Sequence, residues 1–324
     1  MTRFRVARSP GSRQAGSSLN ARPGHFSFER GGALVIAVAT IVLGTATAAL
    51  SGAWVTSLAC GLLLVVGLPH GALDIATIRR AAPTAQRTVV AVYLGAAGAM
   101  LAVWWVSPLA GLAAFYTVSI AHFADDWDKQ NQPFFGYAIA LALLSAPTFF
   151  HADGIRDLFV ALTNDARAAL LVDLLILAAP VATAVALVGL AALGAGRRSA
   201  ESFCALLAMA VLPPVIGFAV FFCLFHSPRH FREGWAALGA NVRPGTSMQI
   251  TAMTMAGFGI AASIYAANSF RGAPAGLFEA SMMTLSALTV PHMLLATILE
   301  RAAVKLPRSS AQTLAGPVKG YSAA

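Results

Sequence analysis

Charged residues make up only 11% of this 324-residue chain, where an ordinary soluble domain carries about 25%. Much of that charge lies in the two tails, and residues 32–299 are poor in it throughout. Cysteine is scarce as well. Cys60, Cys204 and Cys223 all lie in apolar stretches and form neither a C-x-x-C pair nor a zinc-ligand spacing. A disulfide framework and a thiolate metal site are therefore excluded, and the three read as small buried hydrophobes. Lysine is rare too, since Lys129, Lys305 and Lys319 are the only ones, and all sit in loops or tails. These absences exclude an ordinary soluble enzyme, a disordered regulator and a free nucleic-acid binder.

What is present is apolar. Hydrophobic residues reach 58% and the mean hydropathy is +0.72. Apolar runs occupy 32–50, 54–78, 88–106, 108–124, 134–150, 168–194, 201–226, 248–267 and 277–299. Each comes close to the ~20 residues a spanning helix needs. The pattern predicts an all-α, polytopic transmembrane helical bundle of about 8–10 spans. Pro180 interrupts one run and Pro213-Pro214 another, and a break there is tolerated only where protein or a cavity covers the freed backbone. No interval between runs is long enough for a soluble domain. The division is a disordered basic tail at 1–31, a transmembrane catalytic domain at 32–300 and a C-terminal tail at 301–324.

The net charge of +9 is distributed as orientation requires, not as a phosphate-binding face. Six arginines lie in residues 1–31, Arg79, Arg80 and Arg87 follow the second run, and Arg301, Lys305, Arg308 and Lys319 follow the last. The positive-inside rule then places both termini in the cytoplasm, with the body in the cell inner (plasma) membrane, surrounded by lipid and binding no nucleic acid. Both ends inside requires an even number of crossings, so one of the nine runs is not a simple span.

The histidines carry the chemistry. His25 lies in the tail and His151 in a loop. His70, His122, His226, His230 and His292 lie in or at the ends of apolar runs, where ionisable residues are costly and tend to be functional. His70, His122 and His292 share the cytoplasmic leaflet. In His226-Ser227-Pro228-Arg229-His230 a spacing of four puts both imidazoles on one helix face, as two ligands of one metal require. With one extra crossing before His226, all five converge at one depth. Imidazole suits iron, copper, zinc and nickel. Metal-bound histidines donate their other N–H to a carboxylate or carbonyl. Asp74, one turn beyond His70, is placed for that, or else is solvated at the helix end or paired with Arg79 or Arg80. Asp125 or Asp126 is placed for it beside His122. The Phe218, Phe221, Phe222 and Phe225 series would line a tunnel for a lipid-like substrate, or simply pack.

Gly67-Leu68-Pro69-His70-Gly71-Ala72-Leu73-Asp74 resembles the signature of the Brp/Blh family of integral membrane enzymes, which are similar to β-carotene 15,15′-dioxygenases. Ser119-Ile120-Ala121-His122-Phe123 resembles its second motif, the His226–His230 segment its paired-histidine motif, and Pro291-His292 a late element. The resemblance spans about 67–295. It departs at Ala124-Asp125-Asp126, where a glycine is expected after His-Phe, and in the long arginine tail. It implies a ferrous iron (Fe2+) held by His70, His122, His226 and His230, with Asp74 and His292 as supporting or pocket residues. It also implies an oxidoreductase that splits a carotenoid, β-carotene foremost, with O2 into two all-trans-retinal molecules. The competing class is a transporter or metal permease with a histidine-lined path. A retinal photoreceptor is excluded, because no apolar run carries a lysine for a Schiff base.

Overall fold

The computed structural model describes residues 42, 44–45, 52–81, 84–126, 133–192, 197–238, 245–270 and 276–305. Within those helices the side chains of residues 70, 79–81, 197–198, 237, 270 and 296–305 lie outside the description. So do both basic tails and most of the first apolar run.

Among the described residues the protein is all-helical. The helices are α1 (Ala53–Ala81), α2 (Gln86–Val106), α3 (Pro108–Ala124), α4 (Pro133–Ser145), α5 (Thr148–Thr163), α6 (Ala169–Ala192), α7 (Arg197–Val211), α8 (Pro214–Val220), α9 (Ser227–Leu238), α10 (Thr246–Phe270) and α11 (Gly276–Lys305). Four stretches are long and apolar enough to cross a membrane: Ala53–Ile78, Gln86–Val106, Ala166–Ala192 and Thr246–Ser269. The α4–α5 pair, bent by 67°, makes a fifth if it is one span. The outer faces of these helices carry large apolar residues, as on α6, where Leu170, Leu174, Leu177 and Val181 are all exposed. A soluble monomer does not show such a face. The protein is a polytopic helical membrane protein.

Local chemistry sets the helix ends. Pro108 stands in the first turn of α3, and Ser107 Oγ accepts the Ala110 N–H at 3.3 Å, which pre-sets φ and satisfies one orphan donor. Asn164, at φ 50°, closes α5 in the left-handed conformation. Pro180 is carried within α6, whereas Pro213 stops the chain between α7 and α8. The run read as 201–226 is therefore two helices and a wider turn. The segment after residue 150, where a loop is expected at His151, is instead the body of α5. His151 lies inside it, at a kink with φ −132°, and donates from Nε2 to Val211 O at 3.0 Å.

Lipid tails are as apolar as leucine, so helices associate through close packing of small residues and a few buried hydrogen bonds. Ala179, Ala182, Ala186 and Gly189 make such a stripe on α6, which packs against α4. Trp104 Nε1–H donates to Ser286 Oγ at 2.7 Å and ties α2 to α11. Helix α1 is a hub, packed against α9, α10 and α11. The closest backbone approach beside the site is at Gly136 on α4, where a Cβ would come within 2.7 Å of the Ala124 carbonyl at the end of α3. Because the obstacle is backbone, Gly136→Ala must displace one helix. It is expected to lower the thermal midpoint, in the range of a 1–3 kcal/mol overpacking penalty. Gly95→Ala, which meets open space on α2, is the control. Equal midpoints by thermal unfolding in detergent would show that α3 and α4 are not held at this distance.

Candidate metal centre

Three elements bring histidines to one point. His122 sits in the last turn of α3. His226 closes a π-helical turn, Phe221–His226, that follows α8 directly. His230 stands in the first turn of α9. The wide turn inserts extra backbone ahead of His226, and such π segments gather at functional sites. His122 and His226 are buried, the latter completely, and His230 is partly so.

The distances fit a shared ligand. His122 Nε2 and His226 Nε2 lie 3.0 Å apart. Two imidazole nitrogens each about 2.0–2.1 Å from one metal are about 3 Å apart when their bonds meet near a right angle. One ligating atom each from His122, His226 and His230 can be chosen so that all lie within 4.8 Å of one another. Imidazoles without a thiolate suit iron, zinc, copper or nickel, so the residues present accommodate a transition metal.

Two buried carboxylates hold the imidazoles. Asp126, 4% exposed, accepts from His226 Nδ1 at 2.9 Å and from His230 Nε2 at 2.7 Å. Arg229 stands 4.0 Å from the same carboxylate and pairs with Glu201 of α7 at 3.0 Å. Asp74 on α1 accepts from His292 Nδ1 at 2.8 Å and from the Tyr93 hydroxyl at 3.1 Å. His292, behind the buried Pro291 of α11, sets its ring edge-on to His122 at 5.2 Å. Carboxylate–imidazole pairs of this kind fix ring orientation and tautomer in metal sites.

Aromatic rings close the centre from one side. Phe222 stacks on His226 at 5.2 Å and Phe123 meets it edge-on at 4.8 Å. A small cavity beside the centre is lined by Gly67, Gly71, His122, Phe222 and His292. A larger one, farther along α3, is almost wholly apolar, with Leu112, Phe115, Phe218 and Met282 in its wall. Ser119, one turn before His122 on α3, lines the larger cavity.

His122, His226, His230 and His292 thus meet, and Asp74 joins them through His292. His70 lies on α1 one turn before Asp74, but its side chain is outside the described residues, as are those of Arg79 and Arg80. Asp74 is buried, which overturns the solvated reading. Asp126 holds His226 and His230, not the neighbouring His122 that sequence proximity pointed to, and Tyr93 went unremarked in the sequence. His151 stands apart, bonded to the end of α7.

A family model described as "Beta-carotene 15,15'-dioxygenase" matches residues 61–300. The beta-carotene 15,15'-dioxygenase of the uncultured marine bacterium 66A03 is 30% identical over 255 residues, covering 73% of this chain and 91% of that protein. No solved structure matches the chain.

The geometry carries a direct expectation for metal content. His122→Ala and His226→Ala should each strip bound metal from the purified protein, measured by elemental analysis, while His151→Ala keeps it. Retention of metal in both site variants would mean that the cluster is a packed hydrogen-bond network.

Proposed function

The chain belongs to the beta-carotene 15,15'-dioxygenase family, and on that premise we propose that it splits β-carotene at its central double bond with O2, within the membrane, to two molecules of all-trans-retinal. It is a carotenoid-cleaving dioxygenase; the substrate's identity, the symmetry of the cut and the iron are the proposed part. We place ferrous iron on His122, His226 and His230, with His70 as the fourth ligand by its family motif, and give Asp74 and His292 supporting roles. When bound, the iron supplies the activation of O2.

The observation that carries this reading is the meeting of three ligating imidazoles within 4.8 Å of one another, with Ser119, one turn before His122, in the wall of an apolar cavity. A polyene has no hydrogen-bonding groups, so it can be held only by shape and apolar contact, and the cavity wall offers both. The substrate is itself a lipid, and the protein exposes apolar helices to the same phase. Converting one carbon–carbon double bond and O2 into two aldehydes moves no proton to or from the protein. A site whose two carboxylates are already committed to histidines suits such a reaction. The phenylalanine rings around His226 exclude water, which keeps the reactive centre dry. The histidines meet at one point instead of being strung along a path, which supports a metal site over a permeation route. In the same reading the catalytic body, 32–300, lies in the inner membrane with both tails on the cytoplasmic side.

The test is pigment analysis in β-carotene-producing bacteria expressing the full chain. Bleaching with retinal in the extract is expected. A Leu112→Trp variant, which fills the larger cavity, should lose most bleaching while keeping its metal. If colour persists in cells whose membranes hold the iron-loaded wild-type protein, β-carotene is not the substrate. If Leu112→Trp bleaches like wild type, the polyene does not occupy this cavity.

A further inference from the structure

Two acids follow His122 in sequence, and the fold treats them oppositely. Asp125 is exposed, whereas Asp126 is turned inward and buried. A buried carboxylate persists only when it is well partnered. The partners of Asp126 are two imidazoles from another part of the chain, His226 through Nδ1 and His230 through Nε2, one on each oxygen. The two rings are four residues apart on nearly continuous helix, with centroids 4.4 Å apart and planes at 49°. Residues four apart in equivalent rotamers would offer the same nitrogen to a common partner. Here they offer different ones.

We infer that Asp126 is a positioning residue that orients two metal ligands at once and makes them unlike, so that His226 ligates through Nε2 and His230 through Nδ1. The nitrogen that donates to Asp126 is protonated and cannot bind metal, which leaves the opposite nitrogen of each ring for that role. For His226 that nitrogen is Nε2, the atom 3.0 Å from His122 Nε2. Because Asp126 stands two residues beyond α3, which carries His122, one carboxylate also ties the His122 element to the His226–His230 element. Arg229, in the turn between the two rings, stands 4.0 Å from the same carboxylate and is itself paired to Glu201. The inference rests on the reading of these histidines as metal ligands.

The experiment uses the full chain purified in detergent without oxygen and loaded with ferrous ion alone. Wild-type protein is labelled with histidine carrying nitrogen-15 at Nδ1 or at Nε2, and the nitric oxide adduct of its iron is examined by pulsed electron paramagnetic resonance. Strong coupling is expected from both labels. Coupling from Nε2 alone would overturn the inference without any variant being made. Asp126→Asn, which can accept from one imidazole but presents an amine to the other, should weaken ferrous binding by ~10–100-fold and change the adduct spectrum, while Asp125→Asn changes neither. Asp126→Glu, which restores two accepting oxygens on a longer arm, should recover part of the affinity. If Asp126→Asn elutes and melts like wild type and binds ferrous ion with unchanged affinity and spectrum, the positioning role is wrong. Wild-type protein that binds no ferrous ion would instead remove the metal reading itself.

Discussion

A carboxylate buried among apolar helices has to find hydrogen-bond partners where it stands, and the polar centre of this protein is organised around two that do. Asp126 bridges His226 and His230. Asp74 takes His292 and Tyr93. Between them they fix residues from α1, α2, α11, the π turn and α9, and the edge contact of His292 with His122 brings in α3. Helices in lipid gain little from apolar contact alone. A centre of mutually hydrogen-bonded carboxylates and imidazoles is therefore what selects this arrangement from the many ways in which such helices could pack.

The breaks in the helices are consistent with that centre. Pro213 separates α7 from α8, the π turn leads into His226, Pro291 precedes His292, and α4 bends into α5 by 67°. Each frees backbone groups that lipid could not satisfy. His151 caps one of them, donating to Val211 O at the end of α7. A regular helix through 214–230 would carry His226 and His230 at unaltered register. Phe222, four residues before His226, stacks on its ring at 5.2 Å.

Much of this was legible in the residues. Histidines in apolar runs stand out because hydrocarbon makes them expensive, and the four-residue spacing of His226 and His230 placed both on one face. With one extra crossing before His226, the depths of the five histidines point to one level of the membrane, and His122, His226, His230 and His292 do meet. Other features depend on packing that no local pattern encodes. Asp125 and Asp126 are chemically identical neighbours, and only the end of α3 decides which one turns inward. Helix α5 lies between the apolar runs and carries Asp153, Arg156 and Asp157, and the pairing of Arg156 with Asp173 of α6 at 2.8 Å is visible only in the fold. The small-residue stripe on α6 and the close approach at Gly136 look like ordinary composition until the partner helix is in place. Nor does any local pattern show that Trp104 is buried against Ser286.

Charge balance argues for the kind of ligand the centre takes. Neutral imidazoles add no charge, and Asp74 with Asp126 adds two negative charges in a region of low dielectric. Arg229 and Glu201 form a pair that cancels within itself. A centre left with two uncompensated carboxylates would be costly to bury, and protonating two of the clustered histidines would place like charges about 5 Å apart. On the reading proposed above, a divalent cation among neutral imidazoles would answer both difficulties with one charge of the right size. A thiolate-rich site would overshoot that balance. The absence of cysteine at the centre and the presence of two carboxylates just behind the imidazoles are thus parts of one electrostatic arrangement, suited to a dication beside an apolar substrate.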